Sequence, residues 1–278
     1  MPLQKLKEEM LRDPDQIATL TREEWESLLR ETEEVLEKEP NLLLLPSSGY
    51  AIFVGDTHGD FDATKKVISR YLGSNNNKVI FLGDYVDRGP QSMENINYLS
   101  LLKTTYPEDV YLLMGNHEAY DLIPHYPANF WWGLDTESYT RYAALFSKLP
   151  LAVTTENGVL ALHGALPDVE KLGDINEINL GSEEWVKIIW GDFQDSRGRV
   201  LGGYVGRPQF GRDYFTEIMQ GFGKNLLIRS HQPFTPILYD NRCLTLFTSS
   251  AYSPLRTIAI VDLEKEIKTT ADLTIETI

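Results

Sequence analysis

The sequence predicts an α/β protein in which two packed, mixed β-sheets are flanked by helices. Three observations carry that expectation. Between residues 50 and 114 the chain alternates β-α-β-α-β, which favours parallel strands, right-handed crossovers and helices on both faces. Beyond residue 150 further apolar runs recur at spacings that suggest a second sheet packed on the first. The chain has 278 residues, 42% of them hydrophobic and 24% charged, which suffices for one sizeable core without staples.

Residues 1–40 read as helical and acidic. Leu3, Leu6 and Met10 fall on one face, and Trp25, Leu28, Leu29, Thr32, Val35 and Leu36 form a second stripe. Thr21 with Glu24 makes a capping box that starts the second helix, and Pro40 stops it. We therefore divide the chain into an N-terminal acidic helical segment, 1–45, and a main domain, 46–278. The simpler expectation for the segment is an amphipathic packing element, with docking of a regulatory protein as the alternative. Residues 51–54 then read as a strand, 61–72 as a helix, 78–82 as a strand, 91–105 as a helix and 110–114 as a third strand. A long helical and aromatic region follows from Gly115 to about Lys148. Strands are expected near 151–155, 158–162, 226–230, 243–247 and 256–262.

Charge and cysteine usage exclude several classes. The net charge is 26 − 41 = −15, which disfavours nucleic acid and acidic membrane surfaces as partners. No apolar run is long enough to span a membrane, and the N-terminus lacks the pattern of a signal peptide. The single cysteine, Cys243, excludes a disulfide framework and a thiolate metal site. A cysteine-dependent phosphatase needs Arg six residues after its Cys, and Ser249 stands there. A reducing, cytoplasmic setting fits best.

Each of the first three strands ends in a glycine followed by polar residues: Gly55-Asp56-Thr57-His58-Gly59-Asp60, Gly83-Asp84-Tyr85-Val86-Asp87-Arg88-Gly89 and Gly115-Asn116-His117-Glu118. Ligands of open α/β sheets bind at the carboxyl ends of the strands, so these clusters should converge. His163 and His231 also follow apolar strands. Asp, His and Asn without a thiolate suit Mn, Fe or Zn, and Asp84, on the middle strand, is the natural carboxylate to bridge two ions. Two divalent cations with two aspartates leave the site cationic, so an acidic protein can still hold an anion there. Asp60 is placed to cap the helix that follows it.

These motifs resemble the metallophosphoesterase signature and, within it, the phosphoprotein phosphatase (PPP) family of serine/threonine phosphatases. Residues 83–89 and 115–118 carry the likeness most specifically. It covers roughly 46–262, including Leu149-Pro150, Ile189-Trp190, Phe210-Gly211, Arg229-Ser230-His231-Gln232 and Leu246-Phe247 followed by Tyr252. The resemblance implies a metallophosphoesterase fold over 46–278. It implies one metal on Asp56, His58 and Asp84, and a second on Asp84, Asn116, His163 and His231. A hydroxide bridging the two ions would attack phosphorus in line. Arg88 would clamp the phosphate, with Asn116, Arg207 and Tyr252 beside it, and His117, oriented by Asp87, would protonate the leaving oxygen. The implied substrate is a phosphorylated protein or peptide; diadenosine polyphosphates or other small phosphate compounds are the alternative, and a non-catalytic scaffold is a third reading.

The chain departs from the family pattern in four places. Met114 replaces the arginine before Gly-Asn-His-Glu, and Ala165 replaces a glycine after His163. The second phosphate arginine is out of register, so Arg207 is preferred over Arg197, Arg199 and Arg212. The loop after Tyr252 is short. The aromatic residues of 120–142 are assigned to core or lid packing, Trp25, Trp185 and Trp190 to structure, and His125 to no functional role.

Overall fold

The computed structural model describes residues 3–74 and 76–278, with side chains from residue 7 onward. In chain order the elements are α1 (Leu3–Arg12), α2 (Arg22–Leu36), β1 (Leu42–Leu44), β2 (Tyr50–Val54), α3 (Phe61–Tyr71), β3 (Lys78–Phe81), α4 (Ser92–Thr105), β4 (Val110–Leu112), α5 (Asn129–Trp132), α6 (Thr136–Phe146), β5 (Ala152–Thr154) and β6 (Val159–Leu162). There follow α7 (Glu183–Trp190), β7 (Asp192–Phe193), β8 (Val200–Tyr204), β9 (Arg207–Phe210), α8 (Arg212–Gly221), β10 (Leu226–Arg229), β11 (Ile237–Leu238), β12 (Cys243–Thr245), β13 (Thr257–Asp262) and β14 (Thr274–Thr277).

The β-α-β-α-β run forms parallel pairs, β2 with β3 and β3 with β4, inside a sheet ordered β14-β13-β2-β3-β4. A second sheet is ordered β1-β5-β6-β10-β12-β11 and mixes parallel with antiparallel pairs. Strand alternation explains why the two sheets stack. Along β2, Ala51 and Phe53 face the second sheet in a cluster with Val153, Ala161, Ile228 and Leu244, whereas Ile52 and Val54 face the helices. Both faces are thus buried, as a parallel sheet requires.

One expectation needs correction. The strand expected near 256–262 belongs by its spacing to the second sheet, but β13 lies antiparallel to β2 in the first, Ile258 opposite Val54 and Ala259 opposite Phe53. Its apolar pattern suits either sheet, because periodicity reports burial and not the partner. The region 115–148 is also less helical than expected: a loop runs from Gly115 to α5, and only α5 and α6 are helical. The small β7-β9-β8 sheet, α7, α8, β1, β11 and β14 were not anticipated.

The N-terminal segment follows its pattern. The Thr21–Glu24 capping box forms, and α2 ends at Leu36, ahead of Pro40. Trp25, Leu28, Leu29 and Leu36 are buried with α4 and α6, and the Trp25 indole N–H donates to the Tyr142 hydroxyl at 2.9 Å. Met10 is buried too; the side chains of Leu3 and Leu6, expected on its face, lie outside the described residues.

Candidate metal centre

The carboxyl ends of β2, β3 and β4 from one sheet, and of β6 and β10 from the other, open on a shared cleft. It is a cavity of about 830 Å³ lined by Asp56, His58, Asp84, Asn116, His117 and His231. Tight turns deliver these side chains. Gly83 has φ +101°, and a Cβ there would stand 2.5 Å from the Gly115 nitrogen. A Cβ on Gly115 would in turn strike Asp84. His58, Asp84, Asp87, Arg88 and His231 all have left-handed backbone, at φ 45°, 53°, 67°, 69° and 73°.

Asp84 is the hub. Its Oδ2 lies 3.7 Å from His58 Nε2, 3.5 Å from His163 Nε2 and 3.9 Å from His117 Nε2. Asp56 Oδ2 lies 3.9 Å from His58 Nε2, and His163 Nε2 stands 3.2 Å from Asn116 Oδ1 and 3.1 Å from His231 Nδ1. His58, Asp84 and His117 form one group able to hold a metal ion, and Asp84, His163 and His231 another.

The hydrogen bonds behind the ligands set their tautomers. Nδ1 of His58 donates to the Val86 carbonyl at 2.9 Å, and Nδ1 of His163 to the Leu82 carbonyl at 2.8 Å. Both Nε2 atoms therefore present lone pairs to carboxylate and amide oxygens. Burial drives Asp56 up to about 7 and Asp84 well above the usual carboxylate range, the latter helped by the charge of Asp56. Burial also lowers His58 to about 4, and His163 and His231 well below the usual imidazole value. Acceptors facing acceptors in a buried cluster are repulsive alone and become favourable around divalent cations. The donor set fits metal ions.

Beside the cluster, His117 Nδ1 contacts Asp87 Oδ2 at 2.6 Å, and Asp87 Oδ1 accepts the Phe130 N–H at 2.8 Å. Burial acts to raise Asp87, but hydrogen bonds from His117 and His125 hold its carboxyl well below the usual range. Arg88 lines the cavity, donating through Nη1 to the Pro127 carbonyl at 3.3 Å. Arg207 lines it too, 2.7 Å from Asp192 Oδ1. Its rivals lie elsewhere: Arg197 is exposed, Arg199 pairs with Asp168 and Glu217, and Arg212 with Asp240. Tyr252 is half-exposed at the rim, its ring centroid 6.2 Å from that of His58. The position of Met114 carries no charge in support of the site; its sulfur accepts the Trp185 indole N–H at 3.3 Å.

Several residues escaped sequence reasoning. His125, for which the sequence predicts no role, places its Nε2 3.0 Å from His117 Nδ1 and 3.3 Å from Asp87 Oδ2. Glu118 accepts the backbone N–H groups of Asp84 and Tyr85, each at 2.8 Å, and of Gly115 at 3.0 Å. Trp190, assigned to structure alone, forms part of the cavity wall 5.9 Å from the His231 ring. Asp60 caps α3 as expected, and it also takes a two-pronged ion pair from Arg256. The spacing of Glu118 inside its motif could have flagged it; His125, Asp192 and Arg256 carry no local signal.

Residues 51–234 match the family model of the calcineurin-like phosphoesterases. A probable serine/threonine-protein phosphatase of Encephalitozoon cuniculi is 30% identical over 243 residues, 82% of this chain and 52% of that protein. Human serine/threonine-protein phosphatase 5 is 32% identical over 246 residues, 81% of this chain and 48% of that protein. The chain thus spans about half the length of the curated relatives it matches. A Saccharomyces cerevisiae protein serine/threonine phosphatase, described as similar to human phosphatase PP5, superposes with a TM-score of 0.81 at 23% identity, over 93% of this chain and 90% of that one. That likeness speaks for the fold. The chain belongs to the calcineurin-like phosphoesterase family.

Proposed function

We propose that the chain hydrolyses phosphoserine and phosphothreonine in proteins or peptides, with residues 46–278 as the catalytic domain. Asp56, His58 and Asp84 would hold one ion, and Asp84, Asn116, His163 and His231 a second. Mn, Fe and Zn all suit these donors. When bound, two such ions supply a nucleophile from water near neutral pH and counter-charge for the phosphoryl oxygens. Arg88 and Arg207, which both line the cavity, would bind the remaining oxygens, with Tyr252 beside them.

The observation that carries the reading is the 2.6 Å contact between His117 Nδ1 and Asp87 beside the ligand cluster. An alkoxide leaves poorly and needs a proton at the moment of cleavage, whereas a phosphate leaving group does not. Asp87 fixes the proton of His117 on Nδ1 and steadies the imidazolium, leaving Nε2 to serve the leaving oxygen. Burial pulls His117 well below the usual imidazole value, and the Asp87 hydrogen bond opposes it; a bound phosphate dianion adds to that opposition.

Turnover of a phosphoserine peptide against diadenosine tetraphosphate, with added manganese, tests the proposal. The peptide should turn over faster, and Asp84→Asn should lose both metal and activity. Faster cleavage of the dinucleotide would transfer the assignment to small-molecule phosphoester hydrolysis. An inactive protein holding two metals would point to a scaffold. A cytoplasmic setting suits Cys243, which is buried and whose thiol is pushed up to about 12 by that burial. No described helix is long and apolar enough to cross a membrane. A regulatory protein could dock on the N-terminal helices only through faces other than the apolar stripe of α2, which is already buried.

A further inference from the structure

We propose that His125 is a positioning residue for this hydrolysis, anchoring Asp87 so that Asp87 holds His117 at the leaving group. The inference rests on the acid role given to His117 above. His125 lies in the loop between β4 and α5, with its side chain only 7% exposed. Its ring meets His117 edge to face at 4.2 Å, and it is bounded by Tyr120 at 5.3 Å and Trp190 at 5.7 Å.

The environment fixes its proton. Nδ1 is buried without a partner, and Nε2 faces Asp87 Oδ2 at 3.3 Å. A proton on Nδ1 would leave a buried N–H unpaired and set a lone pair against a carboxylate, two penalties at once. A proton on Nε2 avoids both and makes His125 a donor to Asp87; Nε2 also lies 3.0 Å from His117 Nδ1, so two N–H groups converge on the one Asp87 oxygen, whose negative charge offsets their mutual repulsion. The carboxylate then receives His117 and His125 on one oxygen and the Phe130 amide, at 2.8 Å, on the other. Asp87 sits on left-handed backbone at φ 67°, a conformation that persists where surrounding contacts over-determine it. His125 is one of those contacts. A third cation on this trio is disfavoured, because the 2.6 Å between His117 Nδ1 and Asp87 is a hydrogen-bond distance.

The test compares His125→Ala and His125→Gln with the wild type, all loaded with manganese. Gln can place an N–H near the Nε2 position, so it is the conservative variant. On a phosphoserine peptide, His125→Ala should lower kcat roughly 10- to 100-fold, the scale of losing a hydrogen bond to a charged group. On p-nitrophenyl phosphate, whose leaving group needs little protonation, the loss should stay below about threefold. KM and metal content should hold, and His125→Gln should recover most of the peptide rate. In the proton spectrum of the same proteins loaded with diamagnetic zinc, the low-field resonance of the His117–Asp87 hydrogen bond should move in His125→Ala and return in His125→Gln. Equal losses on both substrates, or Gln no better than Ala, would overturn the proposal. A wild type that does not cleave phosphoserine would sink the functional reading instead; the His117 resonance would still report whether His125 anchors Asp87, an unmoved resonance counting against it.

Discussion

Replacing Asp60 by Asn tests whether the loop that carries Tyr252 is fastened to the metal motif through one ion pair. Asp60 lies two residues beyond His58 and is 7% exposed. It accepts Arg256 Nε on Oδ2 at 2.8 Å and Nη2 on Oδ1 at 2.9 Å, and Ser250 N–H at 2.8 Å. Ser250 and Arg256 bracket Tyr252, so one carboxylate ties both ends of that loop. Asn still offers an acceptor to cap α3 through the Ala63 N–H, so the cap contributes little to the difference. What is lost is a charge-assisted fork. Breaking such a pair in a buried setting costs about 3–5 kcal/mol. Here Arg256 remains 19% exposed and keeps Asp62 at 3.4 Å, which brings the expected loss to about 2–3 kcal/mol. Urea unfolding of the wild type, Asp60→Asn, Arg256→Met and the double variant, at one fixed metal concentration, measures the coupling, which should be about 2 kcal/mol. The sign with pH is also fixed. Burial acts to raise the Asp60 carboxyl, but the Ser250, Arg256 and Ala63 contacts outweigh it, so its folded pKa is depressed. The stabilisation is therefore complete above the unfolded value, near pH 4, and is lost as pH falls through the folded one. A coupling below about 0.5 kcal/mol at neutral pH would refute the reasoning.

Three further outcomes follow from the same geometry. His117→Asn should cut kcat on phosphoserine peptides by about 10²–10⁴, with a much smaller loss on p-nitrophenyl phosphate; steady-state rates giving equal losses would remove His117 as the acid. After metal removal with a chelator, the melting temperature of the wild type relative to Asp56→Asn should fall as pH rises from about 4 to 7, the histidines being common to both; the Asp56 carboxyl is raised from 3.8 to about 7 in the folded state, a penalty of roughly 4 kcal/mol that is absent below the unfolded value and full above the folded one. Readdition of manganese should flatten that slope, and a metal-free protein without it would contradict the burial of Asp56. Glu39→Ala should destabilise by about 3 kcal/mol in urea titrations, since the fully buried Lys103 loses its 2.5 Å carboxylate partner and keeps only the Pro107 and Val110 carbonyls.

What was legible in the sequence was local. The β2-α3-β3-α4-β4 run, the Thr21–Glu24 box and the Asp60 cap all depend on neighbours within a few residues, where periodicity and capping operate. Partner choice in a sheet depends on chain distant in sequence, and so the pattern of β13 does not reveal that it pairs with β2. The β8–β9 hairpin hides for another reason: every residue of β8 is exposed, so no alternation marks it. The same division runs through the site. Asp56, Asp84 and Asn116 each follow a glycine at a strand end, a pattern visible in one line of sequence. His125 comes from an irregular loop, and Arg256 from nearly two hundred residues beyond its partner. Their approach is decided by packing, which leaves no local mark.

Glu118 shows how close the two kinds of information can lie. It completes the Gly-Asn-His-Glu motif, yet it has no direct contact with the expected ligand atoms in its strongest interactions; it binds backbone. Its two oxygens gather three N–H groups from the turns after β3 and β4. One of those turns holds Asp84 at φ 53°, a conformation that costs a non-glycine residue about 1–3 kcal/mol when the surroundings do not enforce it. Three acceptor contacts enforce it, and they join two parallel strands across the point where the carboxylate must reach the ligands of both sheets. Burial pushes the Glu118 carboxyl up to about 7, while the three amides favour its ionised form. Cations bound a few ångströms away, on Asp84, would tip that balance toward ionisation. The turn that presents Asp84 is therefore expected to be held most firmly when metal occupies the proposed site.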